Sequence, residues 1–189
     1  MISAILLAAG QSKRMNGENK LTKEIQGTSL IKRSVQNILD SSVQELIIVL
    51  GHQKEIIEKL IDKNEKIKFV FNKNFESGMA SSIKTGLNNL SEKTESFFIC
   101  LGDMPMVNHA IYNQLIKSKN NNEIIVPTYK GQQGNPVLFA KTMKGKIMNI
   151  TGDVGAKKIL ELNEDKILNL EIKNENISRG FNTRSDFNI

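Results

Sequence analysis

The sequence predicts an α/β fold in which a mostly parallel central sheet is covered by helices on both faces. Short apolar runs alternate along the chain with segments whose apolar residues recur at helical spacing. The first run, Ile2–Ala8, is almost entirely apolar, as is typical of a strand that is buried on both faces. Because strands and helices alternate without a repeat or a linker, we predict that residues 1–189 form one domain.

The first half of the chain alternates regularly between the two kinds of element. The predicted strands are the apolar runs Ile2–Ala8, Glu45–Leu50, Lys68–Phe71 and Ser96–Leu101. Gly51 ends the second of these runs and the tetrapeptide GDMP ends the fourth, because glycine and proline interrupt regular structure. The predicted helices, each with an apolar stripe, are Thr28–Leu39, Lys54–Ile61 and Ser81–Leu90.

The second half continues the alternation with shorter segments. A helix is predicted over Asn108–Ile116, with Asn108 as its N-cap, and another over Asp153–Leu162. Strands are predicted at Glu123–Pro127 and Pro136–Ala140, joined across YKGQQGN, and at Ile167–Ile172. Ligands of such sheets bind at the carboxyl ends of the strands. The loops after the first, third and fourth strands are therefore the candidate site.

Composition and charge narrow the class of protein. The 189 residues carry a net charge of +6, which fits either a nucleic acid or a small polyanion as ligand. No dense Lys/Arg block with interleaved aromatics is present, so we expect no nucleic-acid partner. The single cysteine, Cys100, lies in an apolar run and is expected to be a buried structural thiol. The first apolar stretch lacks a basic leader and is too short to cross a bilayer, so we expect a cytoplasmic protein without membrane contact.

The loop after the first strand has the composition of a phosphate cradle. Small residues at Ala8, Ala9 and Gly10 allow a tight turn whose backbone N–H groups can surround an anion. Arg14 offers a planar fork for phosphate oxygens and Lys20 offers a mobile charge. The stretch is neither a P-loop nor a GxGxxG fingerprint. On this loop alone, an ordinary connection with solvated basic residues stays an open alternative.

Two later loops carry further candidates. Asp103, in LGDMP, directly follows a buried strand, where a carboxylate beside a polyphosphate is well placed to hold Mg²⁺. In GMASS, Gly78 allows close backbone approach, and the hydroxyls of Ser81 and Ser82 can read a base edge. Taken singly, Asp103 also fits a turn and the serines also fit a helix N-cap.

Together these segments resemble a known family. Seven segments follow one another in this order from about Ile5 to Phe187: LLAAGQSKRM, NKL, GMASSIKTGL, LGDMPMV, GNPVLF, TGDVGAKKIL and FNTRSDF. In this order they resemble the molybdenum cofactor cytidylyltransferases, a branch of the nucleotidyltransferases that share a Rossmann-like domain. The resemblance implies a three-layer Rossmann-like fold and transfer of CMP from CTP to the phosphate of molybdopterin or molybdenum cofactor, with release of pyrophosphate.

The resemblance also implies roles for individual residues. Those matching the nucleotide-binding segments are Leu7, Ala8, Ala9, Gly10, Ser12, Arg14, Lys20, Gly78, Met79 and Ser81. Arg14, Lys20 and Asp103 are the implied catalytic residues, and Asp103 with Asn182 is the implied magnesium site. The positions expected near the acceptor are Asn135, Asp153, Gly155 and Ala156. Ala9 and GMASS, where guanylyltransferase relatives carry Gly and a GPLAG-like stretch, favour CTP over GTP.

Some positions depart from the family pattern. Asn135 stands where a His is usual, Glu24 where a Pro is expected, and Lys157 where an Arg is common. FNTRSDF replaces an ending in which a carboxylate occupies the position of Asn182. These departures concern the acceptor and the second metal contact more than the nucleotide site. A relative that uses GTP, one that acts on a sugar or alcohol phosphate, and a non-catalytic nucleotide-binding protein remain alternatives. The expected partners are CTP, the pterin acceptor and a recipient molybdoenzyme.

Overall fold

The computed structural model describes residues 1–15, 18–152, 155 and 157–187, with Arg14 and Arg184 described by their backbones only. The strands are β1 (Ile2–Ala8), β2 (Glu24–Ile25), β3 (Thr28–Ser29), β4 (Glu45–Leu50), β5 (Ile67–Phe71), β6 (Ser96–Leu101), β7 (Ile124–Tyr129), β8 (Gln132–Gln133), β9 (Val137–Ala140) and β10 (Ile167–Glu171). The helices are α1 (Leu30–Leu39), α2 (Lys54–Lys59), α3 (Met79–Asn88), α4 (His109–Lys117), α5 (Lys144–Ile147) and α6 (Lys157–Glu161).

The main sheet brings the loops after β1 and β6 to one edge. Within the described residues its order is β10-β7-β9-β6-β1-β4-β5, and β8 extends it by pairing with β7. The central strand β1 is parallel to both neighbours, so that Leu7 pairs with Val49 of β4 and with Leu101 of β6. β9 is antiparallel to β6 and β7, which makes the sheet mostly rather than wholly parallel.

Side chains of β1 alternate between two apolar layers. Leu6 packs in a cluster that includes α1 and α4, while Ile5 packs in a cluster on the opposite face that includes α3, α5 and α6. Both residues are fully buried. Because each face of the strands is covered, burial of apolar area stabilises the sheet from both sides. The predicted fold class, a mostly parallel sheet between helical layers, is confirmed.

Most predicted elements are present, with shifted ends. β1, β4 and β6 have the predicted bounds, and Asn108 caps α4 by accepting a hydrogen bond from the N–H of Ile111 at 3.2 Å. α1 begins at Leu30 because Thr28 and Ser29 pair with β2, and the Ser29 hydroxyl accepts from the N–H of Lys32 at 3.4 Å. α3 begins at Met79, earlier than predicted, because Gly78 makes the turn into it with φ of +105°.

One helix of the second half was not predicted, and one predicted helix is described only in part. α5 was missed because it is short and contains Gly145, which weakens the helical signal. The described part of the predicted helix Asp153–Leu162 is α6, Lys157–Glu161, while Asp153 itself lies outside the described residues. No helix in the described part of the chain combines the length and the apolar character that a bilayer crossing requires.

Candidate active site

A cavity of about 690 Å³ opens at the carboxyl edge of the sheet. Its walls come from the loops after β1, β5 and β6 and from the C-terminal segment at Asn182. These are the loops in which the sequence analysis placed the candidate residues. The volume lies within the range of small-molecule sites, which is about 300–1,000 Å³.

The first wall is a turn of small residues that the neighbouring strand holds in place. The backbone N–H of His52, just after β4, donates to the carbonyl of Ala9 at 3.3 Å. A Cβ added to Gly51 would lie 2.7 Å from the Cβ atoms of Ala9 and Phe75 and 2.8 Å from the Ala9 oxygen. Gly51 is therefore required for close packing of the two loops. Around Gly10 itself there is open space, which leaves its backbone accessible from the cavity.

Ser12 links this turn to Lys20. Its hydroxyl accepts a hydrogen bond from the backbone N–H of Lys20 at 3.1 Å, and its carbonyl accepts from the N–H of Met15 at 2.8 Å. The backbone of Ser12 has a φ of +51°, an uncommon value for a residue with a side chain. These contacts hold the backbone of Lys20 beside the turn, and its side chain lines the cavity.

Lys20 connects two side chains that are remote in sequence. Its ammonium forms an ion pair with Oδ2 of Asp103 and donates a hydrogen bond to Oδ1 of Asn182 at 2.9 Å. The side chains of Lys20 and Asp103 are only 18% and 15% exposed, so water screens their attraction weakly. The backbone N–H of Phe181 also donates to the carbonyl of Asp103 at 2.9 Å. The loop after β6 and the C-terminal segment thus form one structure around the Lys20 ammonium.

The opposite wall follows β5. Asn72 donates from Nδ2 to the hydroxyls of Ser81 and Ser82 at 2.8 and 3.0 Å and accepts from the N–H of Asn74 at 2.9 Å. The Ser81 hydroxyl lies 2.8 Å from the carbonyl of Gly78, to which it donates. The serine hydroxyls are therefore engaged in shaping the loop, and it is Ser82 rather than Ser81 that lines the cavity.

Met79 lies at the start of α3 and is 37% exposed. A Cβ added to Gly155 would lie 2.9 Å from the Met79 sulfur, so Gly155 lies directly against this side chain. The carbonyl of Gly152 accepts from the N–H of Ala80 at 3.3 Å, which holds Gly152 at the start of α3. An apolar, polarisable side chain at a cavity wall suits contact with a flat ring.

The structure brings most of the predicted residues to the cavity. Those that line it are Leu7, Ala9, Gly10, Ser12, Lys20, Gly78, Met79, Asp103 and Asn182. Ala8, 1% exposed, lies behind the turn. Asn135 is away from the cavity, with its N–H donating to the carbonyl of Ile177 at 2.7 Å. Asp153, Ala156 and the Arg14 side chain lie outside the described residues.

Sequence reasoning missed a contact across the cavity wall. Nε2 of Gln11, after β1, donates to Oε1 of Glu76, after β5, at 3.0 Å. Both side chains line the cavity, together with Phe75 and Ser77. No local pattern signals this contact, because it joins residues 65 positions apart in the loops after two different strands.

The oxygen atoms around Lys20 fit a divalent cation. The described residues contain no group of three or more His, Cys, Asp or Glu side chains placed to hold a metal ion. The Asp103 carboxylate and the Asn182 amide oxygen nevertheless converge on one positive charge, the Lys20 ammonium. Both are hard oxygen ligands, and Mg²⁺ commonly takes one or two protein ligands and completes its shell with waters and phosphates.

Two ionisable groups near the site have shifted pKa values. Hydrogen bonds from the backbone N–H groups of Asn182 and Thr183 and from the Thr183 hydroxyl lower the pKa of Asp186 below its ordinary value. Burial raises the pKa of the Cys100 thiol to about 12, although its hydrogen bond with Tyr112 acts in the opposite direction. Cys100 is therefore a protonated structural thiol at neutral pH and not a nucleophile.

Comparison with known proteins gives a consistent family. The profile described as the MobA-like NTP transferase domain matches residues 4–168. The molybdenum cofactor cytidylyltransferase of Escherichia coli (strain K12) is 26% identical over 186 residues, which cover 98% of this chain and 93% of that protein. A probable molybdenum cofactor guanylyltransferase of Methanosarcina mazei is 29% identical over 77% of this chain, but the match spans only 66% of that protein.

Solved structures agree at the level of the fold. The crystal structure of Rv0371c from Mycobacterium tuberculosis H37Rv superposes with a TM-score of 0.88, covers 98% of this chain and 95% of that one, and is 22% identical. A second structure of that protein, in complex with manganese, has a TM-score of 0.83 at 20% identity, with 98% and 95% coverage.

Proposed function

This chain belongs to the family of MobA-like NTP transferase domains, and we propose that it transfers CMP from CTP to the phosphate of molybdopterin or molybdenum cofactor. The product would be a cytosine dinucleotide of the pterin, with release of pyrophosphate. The proposal includes a cytoplasmic location, Mg²⁺ as cofactor and a molybdoenzyme that receives the product. The match with the Escherichia coli cytidylyltransferase along nearly the full length of both proteins supports it.

The observation that carries the proposal is the arrangement of the cavity walls. One end presents the small-residue turn and the charged group formed by Lys20, Asp103 and Asn182. The other end presents Gly78 and Met79 at the start of α3. A nucleoside triphosphate has a matching polarity, with a polyanion at one end and a flat base at the other.

In the proposed reaction, a phosphate oxygen of the acceptor attacks the α-phosphorus of CTP. The bond from the α-phosphorus to the bridging oxygen breaks, and the electron pair leaves with pyrophosphate. The acceptor phosphate is already anionic near neutral pH, so no side chain is needed to remove a proton. The backbone of Ala9 and Gly10 would orient the phosphates, and Lys20 would stabilise the charge that develops on pyrophosphate.

Asp103 and Asn182 are the residues that would hold the metal ion. A bound Mg²⁺ would supply charge neutralisation on the phosphate oxygens. When the site is free of nucleotide, Lys20 balances the Asp103 carboxylate. On nucleotide binding, the same ammonium can turn to the phosphates, because lysine is a flexible donor without a fixed geometry.

GTP is the second candidate nucleotide. The archaeal guanylyltransferase match favours it, whereas Ala9 and the GMASS segment favour CTP. The two nucleotides differ at the base edge, where the wall after β5 would contact them.

The test is pyrophosphate release by the purified protein with Mg²⁺ and molybdopterin, comparing CTP, GTP, ATP and UTP. Release with CTP alone supports the proposal. Release with GTP alone moves the protein to the guanylyl branch. Nucleotide binding without release with any of the four contradicts the proposed transfer and favours another acceptor or a non-catalytic nucleotide-binding protein.

A further inference from the structure

The direction of the Asn182 side chain is not set by regular secondary structure. Asn182 belongs to an irregular stretch between two 3₁₀ helices, at Glu175–Ile177 and Arg184–Phe187, yet its Oδ1 must point at Lys20 to accept the 2.9 Å hydrogen bond. An Asn side chain in irregular backbone has several rotamers of similar energy. Something outside the side chain must therefore fix its direction.

The carboxylate of Asp186 fixes the backbone at this point. Its Oδ2 accepts hydrogen bonds from the N–H of Asn182 at 2.8 Å, from the N–H of Thr183 at 2.7 Å and from the Thr183 hydroxyl at 2.9 Å. Hydrogen bonds to an ionised acceptor are stronger than those between neutral groups. The peptide groups on both sides of the Asn182 α-carbon are thereby held to one carboxylate oxygen, Oδ2 of Asp186.

The flanking aromatic residues complete the support. Phe181 is fully buried against Ile25 and Leu30, and its N–H donates to the carbonyl of Asp103. Phe187 meets it edge to face at 5.3 Å between ring centroids. The residue before Asn182 is thus fixed to Asp103, and the residues after it are fixed by Asp186.

We propose that Asp186 is the positioning residue of the site, holding the Asn182 backbone so that the Asn182 amide oxygen faces the Lys20 ammonium. The expected effect of Asp186 on turnover rests on the proposed function, whereas its effect on the position of Asn182 does not. Asp186 itself does not line the cavity. It acts through Asn182 and is not a catalytic residue.

The first test is a kinetic comparison of Asp186→Ala, Asn182→Ala and the double variant, with Asp62→Ala as the matched control. Asp62 is an exposed carboxylate that pairs with Lys32 at 2.9 Å and does not line the cavity. We expect Asp186→Ala to lower kcat about tenfold, the loss of roughly one hydrogen bond to a charged group, while KM for the nucleotide stays within about twofold. The double variant should be no slower than Asn182→Ala alone. Asp186→Asn, which keeps an acceptor oxygen, should recover most of the rate.

The second test does not depend on turnover. Acylation of the Lys20 amine by an N-hydroxysuccinimide ester in the nucleotide-free protein, followed by mass spectrometry, reports how firmly Lys20 is held. Asp186→Ala should raise its rate about fivefold relative to Asp62→Ala, since one of its hydrogen bonds is released. Thr183→Val, which removes one donor to Asp186, should raise the rate about twofold and replaces Asp186→Ala if that variant does not fold.

The outcomes separate this role from the proposed function. Unchanged labelling of Lys20, or rate losses of Asp186→Ala and Asn182→Ala that multiply in the double variant, overturns the positioning role. If the wild-type protein transfers no nucleotide at all, the proposed function fails, and the labelling result alone decides the role of Asp186.

Discussion

Asp103 has two separate structural contacts at the end of β6, through its side chain and through its backbone. Its carboxylate pairs with Lys20 and its carbonyl accepts from Phe181. Asp103→Asn keeps the shape and an acceptor for Lys20 but removes the negative charge. We expect turnover to fall by about two to three orders of magnitude, as for other preorganised charges, with little change in thermal midpoint. Pyrophosphate release and a thermal melt measure both quantities.

Asp165→Asn is the control for this substitution, because Asp165 is exposed and does not line the cavity. Near-normal turnover of Asp103→Asn would contradict the proposal that this carboxylate holds the metal ion at the reacting phosphates.

Lys20 can be tested against a neighbouring lysine. Lys20→Ala should lose about 2–4 kcal/mol of transition-state stabilisation, because the ammonium is held at the cavity by two oxygens. Lys23→Ala is the matched control, since Lys23 pairs with Glu18 at 2.7 Å and is 38% exposed. The measurement is the ratio of kcat/KM between the two variants. Equal values would contradict the proposal that Lys20 stabilises the transition state.

Cys100 gives a prediction that is independent of catalysis. Its side chain is 1% exposed and its pKa is raised to about 12, so the reactive thiolate is scarce in the native protein. A thiol reagent such as Ellman's reagent should label it only after denaturation, at one thiol per chain. Rapid and complete labelling of the native protein would contradict the buried position on β6.

At the scale of the elements, the packing of α3 on β1 depends on a glycine. A Cβ at Gly86 would lie 2.3 Å from Cγ2 of Ile5, well inside the contact distance of two carbon atoms. We expect Gly86→Ala to lower the free energy of unfolding by about 1–3 kcal/mol, because α3 must move away from the sheet. Urea denaturation measures this change.

Gly145→Ala is the matched control for that prediction. Gly145 lies in α5 with open space around its α-carbon, so alanine should stabilise the helix by up to about 1 kcal/mol. Equal effects of the two substitutions would mean that the close approach of α3 to Ile5 does not limit packing.

The elements that could be predicted from the sequence are those with a strong local signal. β1, β4 and β6 are continuous apolar runs, and the predicted bounds agree with the structure. The hairpin of β2 and β3 was not predicted, because its strands have two residues each and pair only with one another. Its position before α1 depends on Ile25 packing against Phe181, a contact that no local pattern contains.

Part of the candidate site could likewise be predicted from the sequence, and part could not. The carboxyl ends of parallel strands meet at one edge, so the approach of the β1 and β6 loops followed from the predicted topology. The hydrogen bond from Lys20 to Asn182 joins residues 162 positions apart, and it depends on how the C-terminal segment returns across the sheet. Neither the composition nor the spacing of the motifs indicates the path that this segment takes.

For the whole molecule, acid should be more destabilising than alkali. The N–H of Lys130 and the hydroxyl of Thr128 lower the pKa of Glu171 below its ordinary value of 4.5, and a hydrogen bond from Lys166 likewise lowers the pKa of Glu123. A carboxyl whose pKa is lower in the folded state stabilises the fold above its unfolded pKa, and this contribution is lost as the pH falls through the folded pKa. Protonation also increases the net positive charge, which is already +6, and therefore self-repulsion.

We therefore expect the free energy of unfolding, measured in urea, to be level near neutral pH and to fall progressively below about pH 4.5. Glu171→Gln should make this fall shallower, because the glutamine oxygen still accepts from the Lys130 N–H, its Nε2 can donate to the Thr128 hydroxyl, and glutamine does not titrate. Glu58→Gln is the control, since Glu58 is exposed on α2 and should leave the slope unchanged. A fall of the same steepness in the Glu171 variant would show that the carboxylate joining β10 to the β7–β8 turn contributes nothing to acid sensitivity.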